Sequence, residues 1–150
     1  EAKRPYCSRC GKFYYHNPPP VVAVAAVDSR GRLLAIRRGV EPAYGRWCFV
    51  CGFMELLETP EQAVARALAE ESGLESSKPR LLGVFYETSR IYDSVVVLGY
   101  KVVVKGKPRP GSDALDAAFF DRSHLPPLAF KSHRAMLRIL RKAGGAHKAY

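Results

Sequence analysis

Amide side chains, cysteines and long apolar runs are all scarce in this chain. Asn17 is the single asparagine and Gln62 the single glutamine, a depletion of thermolabile amides that resembles the usage of hyperthermophiles. Four cysteines in 150 residues do not make a disulfide-built scaffold, and the chain is long enough to bury a core without cross-links. Because no apolar run reaches about eighteen residues and no secretory pattern stands at the start, we expect a cytoplasmic domain with no membrane partner.

Acidic residues are also scarce, with 14 Asp and Glu against 24 Lys and Arg and a net charge of +10 at pH 7. No acidic residue follows Asp121. One interpretation is a basic surface that attracts polyphosphates, with RNA as a related partner. The other is the solvated side of an amphipathic helix over residues 132–143, whose apolar stripe is Met136, Ile139, Leu140 and Ala143. We favour the second interpretation for that helix.

The alternation of apolar runs and turns predicts a chain that mixes strands and helices. Val21–Val27 is a continuous apolar run, and a turn at residues 28–31 leads into Leu33–Arg37, which we expect to pair back as a hairpin. Further strands are expected at Trp47–Val50, Leu81–Tyr86, Val95–Val104 and Ala118–Asp121.

The most informative segment is residues 52–74, which read GFMELLETPEQAVARALAEESGL. Thr59 is a good N-cap, and Gln62 three residues later completes a capping box. Pro60 occupies the first helical position, where its missing N–H costs nothing. Gly73 is a natural stop, so the segment predicts a loop followed by a helix that ends near residue 72.

Carboxylates are placed at regular intervals on this predicted helix. Positions 67, 70 and 71 share one face because residues three and four apart are neighbours. Glu70 and Glu71 should therefore project together, beside the loop that ends at Glu58. Hard oxygen ligands that converge in this way suit Mg²⁺, which can neutralise a diphosphate and polarise a water molecule. The alternative is a solvated acidic face.

The spacing resembles the Nudix box, G-x5-E-x7-R-E-U-x-E-E-x-G-U with U apolar. This box is the signature of hydrolases that split diphosphate linkages attached to a nucleoside. Eight of the nine specified positions match: Gly52, Glu58, Arg66, Leu68, Glu70, Glu71, Gly73 and Leu74. The resemblance implies an α/β architecture, the Nudix fold, in which a mixed β-sheet is sandwiched between α-helices.

The ninth position is Ala67, where the family places a glutamate. In parts of the family that glutamate is a general base or a metal ligand, and general-base terms are worth about 10²–10⁴-fold in rate. Two explanations stay open. Either the chain contains a deliberate inactivating substitution, or it is a naturally weak or rewired enzyme. The rest of the box is kept, which favours the first explanation.

The resemblance assigns roles to particular residues. The implied catalytic set is Arg66, Glu70, Glu71 and position 67, where Arg66 braces the loop. The implied ligands of Mg²⁺ or Mn²⁺ are Glu70, Glu71, Glu58, the backbone carbonyl of Cys51, and Asp116. The expected substrate contacts are Arg37, Arg38 and Arg46 for phosphates, through their bidentate donors, and Phe53 and Tyr92 for stacking on a base.

The N-terminal stretch YCSRCGKFYYHNP resembles half of the zinc ribbon that precedes the Nudix domain in NADH-pyrophosphatase-like proteins. The predicted division is a zinc-ribbon-like segment at 1–18 and a Nudix hydrolase domain at 19–150. Cys7 and Cys10 form a single knuckle, whereas a structural zinc site takes four ligands. Zn²⁺ completed from outside the chain or by a second subunit, a metal-free turn, and a disulfide all stay open. Cys48 and Cys51 are predicted to be ordinary buried thiols.

The expected function is Mg²⁺-dependent hydrolysis of a nucleoside diphosphate linked to another moiety, of the ADP-ribose, dinucleotide or dinucleoside polyphosphate type. Residues 86–94 read YETSRIYDS and lack the SQPWPFP-like motif of NADH pyrophosphatases, so the substrate stays open. The expected partner is a small nucleotide, with a homodimer and nucleic acid as open alternatives. The alternative function is a non-catalytic nucleotide- or RNA-binding protein on a Nudix scaffold, motivated by Ala67 and the basic charge.

Overall fold

A computed structural model of the chain describes residues 3–145. Within that range the elements are β1 (Tyr6–Cys7), β2 (Lys12–Phe13), β3 (Pro20–Val27), β4 (Leu33–Arg38), β5 (Trp47–Cys48), β6 (Val50–Phe53), α1 (Pro60–Ser72), β7 (Arg80–Ser89), β8 (Asp93–Val103), β9 (Ala114–Phe120) and α2 (Lys131–Gly145). Neither helix is long and apolar enough to cross a membrane.

Strand β3 lies at the centre of a seven-stranded mixed sheet. The main strand order is β5-β4-β3-β8-β7, while β6 also pairs with β3 and β9 with β4. The β3–β8 pair is parallel and runs from Pro20 opposite Val96 to Val27 opposite Val103. The predicted β3–β4 hairpin is present, with the two strands antiparallel and Val27 opposite Leu33 beside the turn, while most of β3 pairs with β6 and β8. A strand buried on both faces is a continuous apolar run, so its sequence does not reveal its partners. The main partners of β3 are β6 and β8, which are distant in sequence.

The side chains of β3 alternate between two apolar layers. Val22, Val24 and Ala26 point to the layer that α1 covers, together with Val64 and Leu68 of that helix. Successive strand residues face opposite sides, so the intervening positions of β3 point to the second layer. That second layer includes Ala23, Ala25, Val27, Met136 and Leu140, the last two from α2. The predicted sheet between helices is confirmed.

Helix α1 begins with the predicted capping box. Thr59 Oγ1 accepts from the backbone N–H of Gln62 at 3.2 Å, and the Thr59 N–H donates to Gln62 Oε1 at 2.8 Å. Gly73 ends the helix in the left-handed region, at φ 67°, and its N–H donates to the carbonyl of Ala69 at 2.9 Å. Backbone groups that a helix leaves unpaired at its two ends therefore find partners within the same segment. This fixes where the helix begins and ends, and with it the positions of its carboxylates.

The loop of residues 105–113 packs against the C-terminal end of α1. The backbone N–H of Arg109 donates to the Ser72 carbonyl at 2.9 Å, and that of Gly111 donates to the Glu71 carbonyl at 3.1 Å. A Cβ atom on Gly111 would lie 2.2 Å from the backbone oxygen of Glu70, so only glycine fits. The loop thus clamps the helical turn that bears both box glutamates.

Helix α2 is amphipathic, but its buried side differs from the prediction. His133, Met136 and Leu140 are buried, whereas Ile139 is 36% exposed and Ala143 is exposed. The packed positions follow the i, i+3, i+7 rows that face the sheet, which leaves Ile139 at the boundary with solvent. The basic residues Arg138, Arg141 and Lys142 are exposed, as expected for the solvated side.

The N-terminal residues form a small separate hairpin of β1 and β2. Tyr6 packs against Phe13 with ring centroids 5.0 Å apart, and both rings remain exposed. Cys7 ends β1, Cys10 lies on the connecting turn, and both are free thiols. Hydrogen bonds from the backbone and the thiol of Cys10 lower the pKa of Cys7 below its usual value. The spacing of the two cysteines is that of a knuckle, and the three alternatives for the pair stay predictions.

Candidate active site

A pocket of about 620 Å³ opens beside α1. Its walls come from β4, β6, the second half of α1, the end of β7, the start of β8 and the first turn of α2. Residues of the box helix line it together with Cys51, Gly52 and Phe53 of β6. The box therefore faces a cavity of the size that small ligands occupy.

Arg66 ties the loop of the box to its helix. Its Nε lies 2.7 Å from Glu58 Oε1, its Nη2 lies 2.8 Å from Glu58 Oε2, and Nη2 also donates to the Phe53 carbonyl at 2.8 Å. Nη1 reaches Glu70 Oε2 at 3.2 Å. The planar fork of an arginine suits this set of acceptors, so the predicted bracing role agrees with the geometry.

Glu58 is fully engaged by this brace. Besides the two bonds from Arg66, its Oε2 accepts from the Glu55 backbone N–H at 2.9 Å. The hydrogen bonds from Arg66 lower the pKa of Glu58 to about 2, so it is charged under ordinary conditions. Glu58 does not line the pocket. The structure thus places this predicted metal ligand behind the site, as the anion that holds Arg66.

Glu71 is the most perturbed carboxyl group of the pocket. It is half-buried, and burial raises its pKa to about 8, with smaller contributions from Cys51 and Asp113. Arg38 and the backbone N–H of Cys51 act in the opposite direction. In such surroundings the favourable interactions of a charged carboxylate do not offset its loss of hydration. A bound cation would supply the missing favourable interaction.

The donors around Glu71 fit a hard divalent cation. Glu70, Glu71 and Asp113 all line the pocket and offer carboxylate oxygens. Within residues 3–143, no three His, Cys, Asp or Glu side chains already converge with metal-ligand geometry. Mg²⁺ typically takes one or two carboxylates and keeps several waters, so it does not need a complete protein cage. The residues present therefore suit Mg²⁺ or Mn²⁺ better than a four-ligand structural ion.

Ala67 forms an apolar part of the pocket wall. It is 2% exposed and belongs to the core cluster beneath α1. A Cβ atom built on Gly52 would lie 3.3 Å from the Ala67 methyl group, so the loop and the helix are in close contact there. The position lines the pocket without offering a base.

Two thiols, an arginine and a buried histidine lie close to Glu71. Arg38 Nη1 is 3.9 Å from Cys51 Sγ, and the Nδ1 atom of buried His133 accepts from the Phe49 backbone N–H at 3.1 Å. Interaction with the Cys51 thiol lowers the pKa of Cys48, and interaction with the Cys48 thiol together with burial raises the pKa of Cys51. Cys48 is buried as predicted, whereas Cys51 also borders the pocket.

Two predicted substrate contacts, Phe53 and Tyr92, meet at the wall of the pocket. The rings of Phe53 and Tyr92 are T-shaped with centroids 4.9 Å apart, and they are 42% and 48% exposed. Both line the pocket. An exposed aromatic pair at a cavity wall provides an apolar face for a planar ligand. The structure brings these two residues together, and their contact with substrate stays a prediction.

Of the three predicted phosphate-binding arginines, Arg37 and Arg46 do not line the pocket. Arg37 is exposed and donates through Nε to the Gly45 carbonyl at 3.1 Å, and Arg46 is also exposed. Ile36 and Arg38 line the pocket instead, because residues two apart on a strand share a face. That period of two along β4 is the signal that separates Arg38 from Arg37.

Asp116 is likewise placed away from the pocket. It lies in β9 opposite Arg37, and its Oδ1 accepts from the Ala117 backbone N–H at 2.8 Å. Asp113, to which the sequence analysis assigned no site role, lines the pocket near Glu71. Sequence reasoning also missed Glu87, whose carboxylate accepts from the Lys131 N–H at 2.9 Å at the start of α2. Neither residue had a motif that could have identified it.

The sheet between two helices and the box glutamates at its pocket define a Nudix-type protein. The NUDIX domain family matches residues 17–141, and the chain belongs to this family. The ADP-ribose pyrophosphatase of Methanocaldococcus jannaschii is 32% identical over 139 residues, which are 89% of this chain and 79% of that protein. The NAD-capped RNA hydrolase NudC of Vibrio vulnificus is 30% identical over 125 residues, or 82% of this chain. The match spans only 46% of NudC.

Solved structures agree on the fold. A NUDIX hydrolase from Nitrosomonas europaea superposes with a TM-score of 0.76 at 24% identity, covering 95% of this chain and 81% of that one. The NUDIX domain of Shewanella oneidensis NrtR, solved in complex with ADP-ribose, gives a TM-score of 0.75 at 20% identity. That match covers 92% of this chain and 93% of the NrtR chain. Identities this low show the shared fold alone.

Proposed function

We propose that this chain hydrolyses the diphosphate linkage between a nucleoside and another moiety, with Mg²⁺ or Mn²⁺ held by Glu70 and Glu71. The observation that supports this most directly is Glu71, a carboxyl group whose burial at the pocket wall raises its pKa to about 8. Such a group favours a neighbouring cation. When bound, the ion neutralises diphosphate charge and polarises the attacking water.

The surrounding residues take distinct roles in this proposal. Arg66 and Glu58 hold the loop against α1, so that Glu70 and Glu71 keep a fixed relation to the wall at Gly52. The Cys51 carbonyl on that wall is a further proposed ligand. Arg38 lies on the pocket side of β4 and is the cation placed to meet a phosphate oxygen.

Phe53 and Tyr92 are proposed to accept the base of the nucleotide. Their rings form an exposed apolar surface within the same pocket as the carboxylates. A nucleoside base on these rings would lie across the pocket from Glu71, with the diphosphate between them. ADP-ribose is the first substrate to test, because the similar Methanocaldococcus jannaschii protein is an ADP-ribose pyrophosphatase.

A substrate panel tests the proposal. The native chain and the Ala67→Glu variant are assayed with Mg²⁺ against ADP-ribose, NADH, FAD, dinucleoside polyphosphates and nucleoside triphosphates, with product identified by chromatography. Glu71→Gln in both backgrounds is the matched control, because it keeps size and removes the charge. We expect turnover that requires both metal and Glu71. The proposal fails if no compound is cleaved in either background.

A second candidate is a non-catalytic nucleotide- or RNA-binding protein. Ala67 and the net charge of +10 favour it. Such a binder should retain nucleotide affinity while Ala67→Glu restores no turnover. RNA binding through the basic residues of α2 should also weaken steeply as salt rises. An RNA of defined length, titrated at two salt concentrations, separates this candidate from the enzyme.

A further inference from the structure

His133 is a buried histidine at the pocket that the proposed hydrolysis does not use. It lies in the first turn of α2, is 2% exposed and lines the pocket. Its ring stacks on that of Phe49 with centroids 5.6 Å apart, and it meets the Phe130 ring in a T-shaped contact at 5.1 Å. The imidazole is therefore held between two aromatic rings, and only a small part of it is open to the pocket.

One hydrogen bond determines which nitrogen of His133 has the proton. The Phe49 backbone N–H lies 3.1 Å from Nδ1. A backbone N–H can only donate, so Nδ1 is the acceptor and the proton of the neutral ring is on Nε2. A proton on Nδ1 would set two donors against each other. It would also leave the buried N–H of Phe49 without a partner, which is unfavourable.

The Nε2 atom of His133 is free to meet a ligand. Among the described residues, no hydrogen bond joins Nε2 to another group, and no side-chain nitrogen or oxygen that is shut off from solvent lacks a partner. Nε2 is therefore part of the small exposed area of the residue, and that area borders the pocket. The histidine thus offers the pocket one N–H donor with a defined tautomer.

Arg38 provides a second donor beside the same aromatic ring. Its guanidinium carbon lies 5.3 Å from the centroid of the Phe130 ring, and its Nε donates to the Pro42 carbonyl at 2.6 Å. Nη1 lies 3.9 Å from Cys51 Sγ, while Nη2 has no partner within residues 3–143. The Phe130 ring therefore contacts two side chains that each have an unused N–H group, one charged and one neutral.

The backbone at the start of α2 is not itself an anion site. The Glu87 carboxylate accepts from the Lys131 N–H at 2.9 Å and from the Ser132 N–H at 3.0 Å. These bonds use the first N–H groups of the helix and join its start to β7. They also fix the turn that bears His133, so the histidine side chain, rather than the helix terminus, is placed to meet a ligand.

We propose that His133 is a substrate-binding residue, whose Nε2–H donates to a phosphate oxygen of the bound diphosphate beside Arg38. Phosphate oxygens are charged acceptors, so they suit a pair of donors on neighbouring side chains. A neutral imidazole adds this contact without placing a second full charge next to the guanidinium group. The inference rests on the proposed function, because that function supplies the diphosphate.

Nuclear magnetic resonance tests the contact in the native chain. In protein labelled with ¹⁵N-histidine, the signal of His133 is identified by its loss in the His133→Asn variant, and it should show a proton on Nε2. With Mg²⁺ present, the non-cleavable probe α,β-methylene ADP should move the Nε2–H signal downfield, because a hydrogen bond to a charged oxygen deshields the proton. Methylenediphosphonate, which has the same diphosphate unit and no nucleoside, should move it in the same direction.

Three results of this experiment would overturn the inference. The first is a proton on Nδ1 instead of Nε2. The second is an Nε2–H signal that neither compound moves. The third is a shift with the nucleotide alone, which would place the contact on the nucleoside.

Two substitutions separate ligand binding from a purely structural role. His133→Asn puts an amide oxygen near the position of Nδ1, so it keeps an acceptor for the Phe49 N–H and removes the pocket donor. His133→Gln reaches the position of Nε2, so it keeps a donor and loses that acceptor. By calorimetry, His133→Asn should bind α,β-methylene ADP at least about tenfold more weakly at nearly native Tm. His133→Gln should stay within about threefold of native affinity while its Tm falls.

His124→Asn is the matched control and should bind the probe like the native chain, because His124 is exposed and does not line the pocket. If the affinity of both His133 variants falls only as their Tm falls, the residue is structural and the inference is wrong. If the native chain does not bind α,β-methylene ADP in Mg²⁺, the proposed function has failed, and the inference fails with it.

Discussion

Protonation of Glu71 should make the stability of the metal-free protein depend on pH in an unusual direction. Most carboxyl groups have a lower pKa in the folded state, but burial raises that of Glu71 from 4.5 to about 8. The folded protein therefore binds a proton that the unfolded chain has released. The stabilising contribution is complete below pH 4.5 and is lost as pH rises through about 8.

The size of this effect follows from the pKa. A rise from 4.5 to about 8 corresponds to about 5 kcal/mol at about 1.4 kcal/mol per pKa unit. Water in the open pocket screens part of the charge, so we expect about 2–3 kcal/mol in practice. For a domain of this length, that is a fall in Tm of about 5 °C or more between pH 5 and pH 8.5.

The assay compares thermal melts of the native chain with those of Glu71→Gln, both in chelator, from pH 5 to pH 8.5. Glu75→Gln is the matched control, because Glu75 is exposed just beyond the same helix. The native chain and the control should lose stability relative to Glu71→Gln as pH rises. Added Mg²⁺ should remove much of that loss, since metal binds the charged form. Parallel curves for all three proteins would refute the reasoning.

Three further predictions concern the contact of Gly111 with α1, the alanine at position 67 of the box, and the two cysteines of the N-terminal hairpin. Gly111→Ala places a methyl group against the Glu70 carbonyl and should weaken Mn²⁺ binding by calorimetry at least about tenfold; unchanged affinity would contradict the clamp. Ala67→Glu should raise hydrolysis of the right substrate at least about tenfold in a steady-state assay, and no gain on any panel compound would contradict this. Cys7→Ser/Cys10→Ser should leave the Tm of the Nudix domain unchanged with or without chelator; a collapse in both tests would show that zinc is needed for folding.

Local signals in the sequence predicted the helix of the box almost residue by residue. The capping pair Thr59 and Gln62 and the left-handed Gly73 act through bonds within a few residues, so neighbouring letters determine them. The same holds for the brace of Arg66, because Glu58 and Glu70 lie on the loop and the helix that the box itself defines.

Residues whose position depends on distant pairing were predicted less well. Arg37 and Arg38 are adjacent in sequence, yet a register shift between them and the alternation of β4 decide which one enters the pocket. Asp113 reaches the pocket only because the loop of residues 105–113 folds onto the end of α1. Neither fact has a local signature, since both follow from how β9 and its loop pack against earlier parts of the chain.

The central position of β3 in the sheet also affects how the chain folds while it is being synthesised. One edge of β3 can be covered early by β6, but its other edge waits for β8, which emerges only after the whole box helix. During that interval the most apolar strand of the chain presents an open edge on the ribosome, and such edges pair readily with other chains. A sheet closed by a late parallel strand also tends to fold slowly. The long-range pairing that buries β3 in the finished domain therefore leaves this strand open to aggregation while the chain is being made.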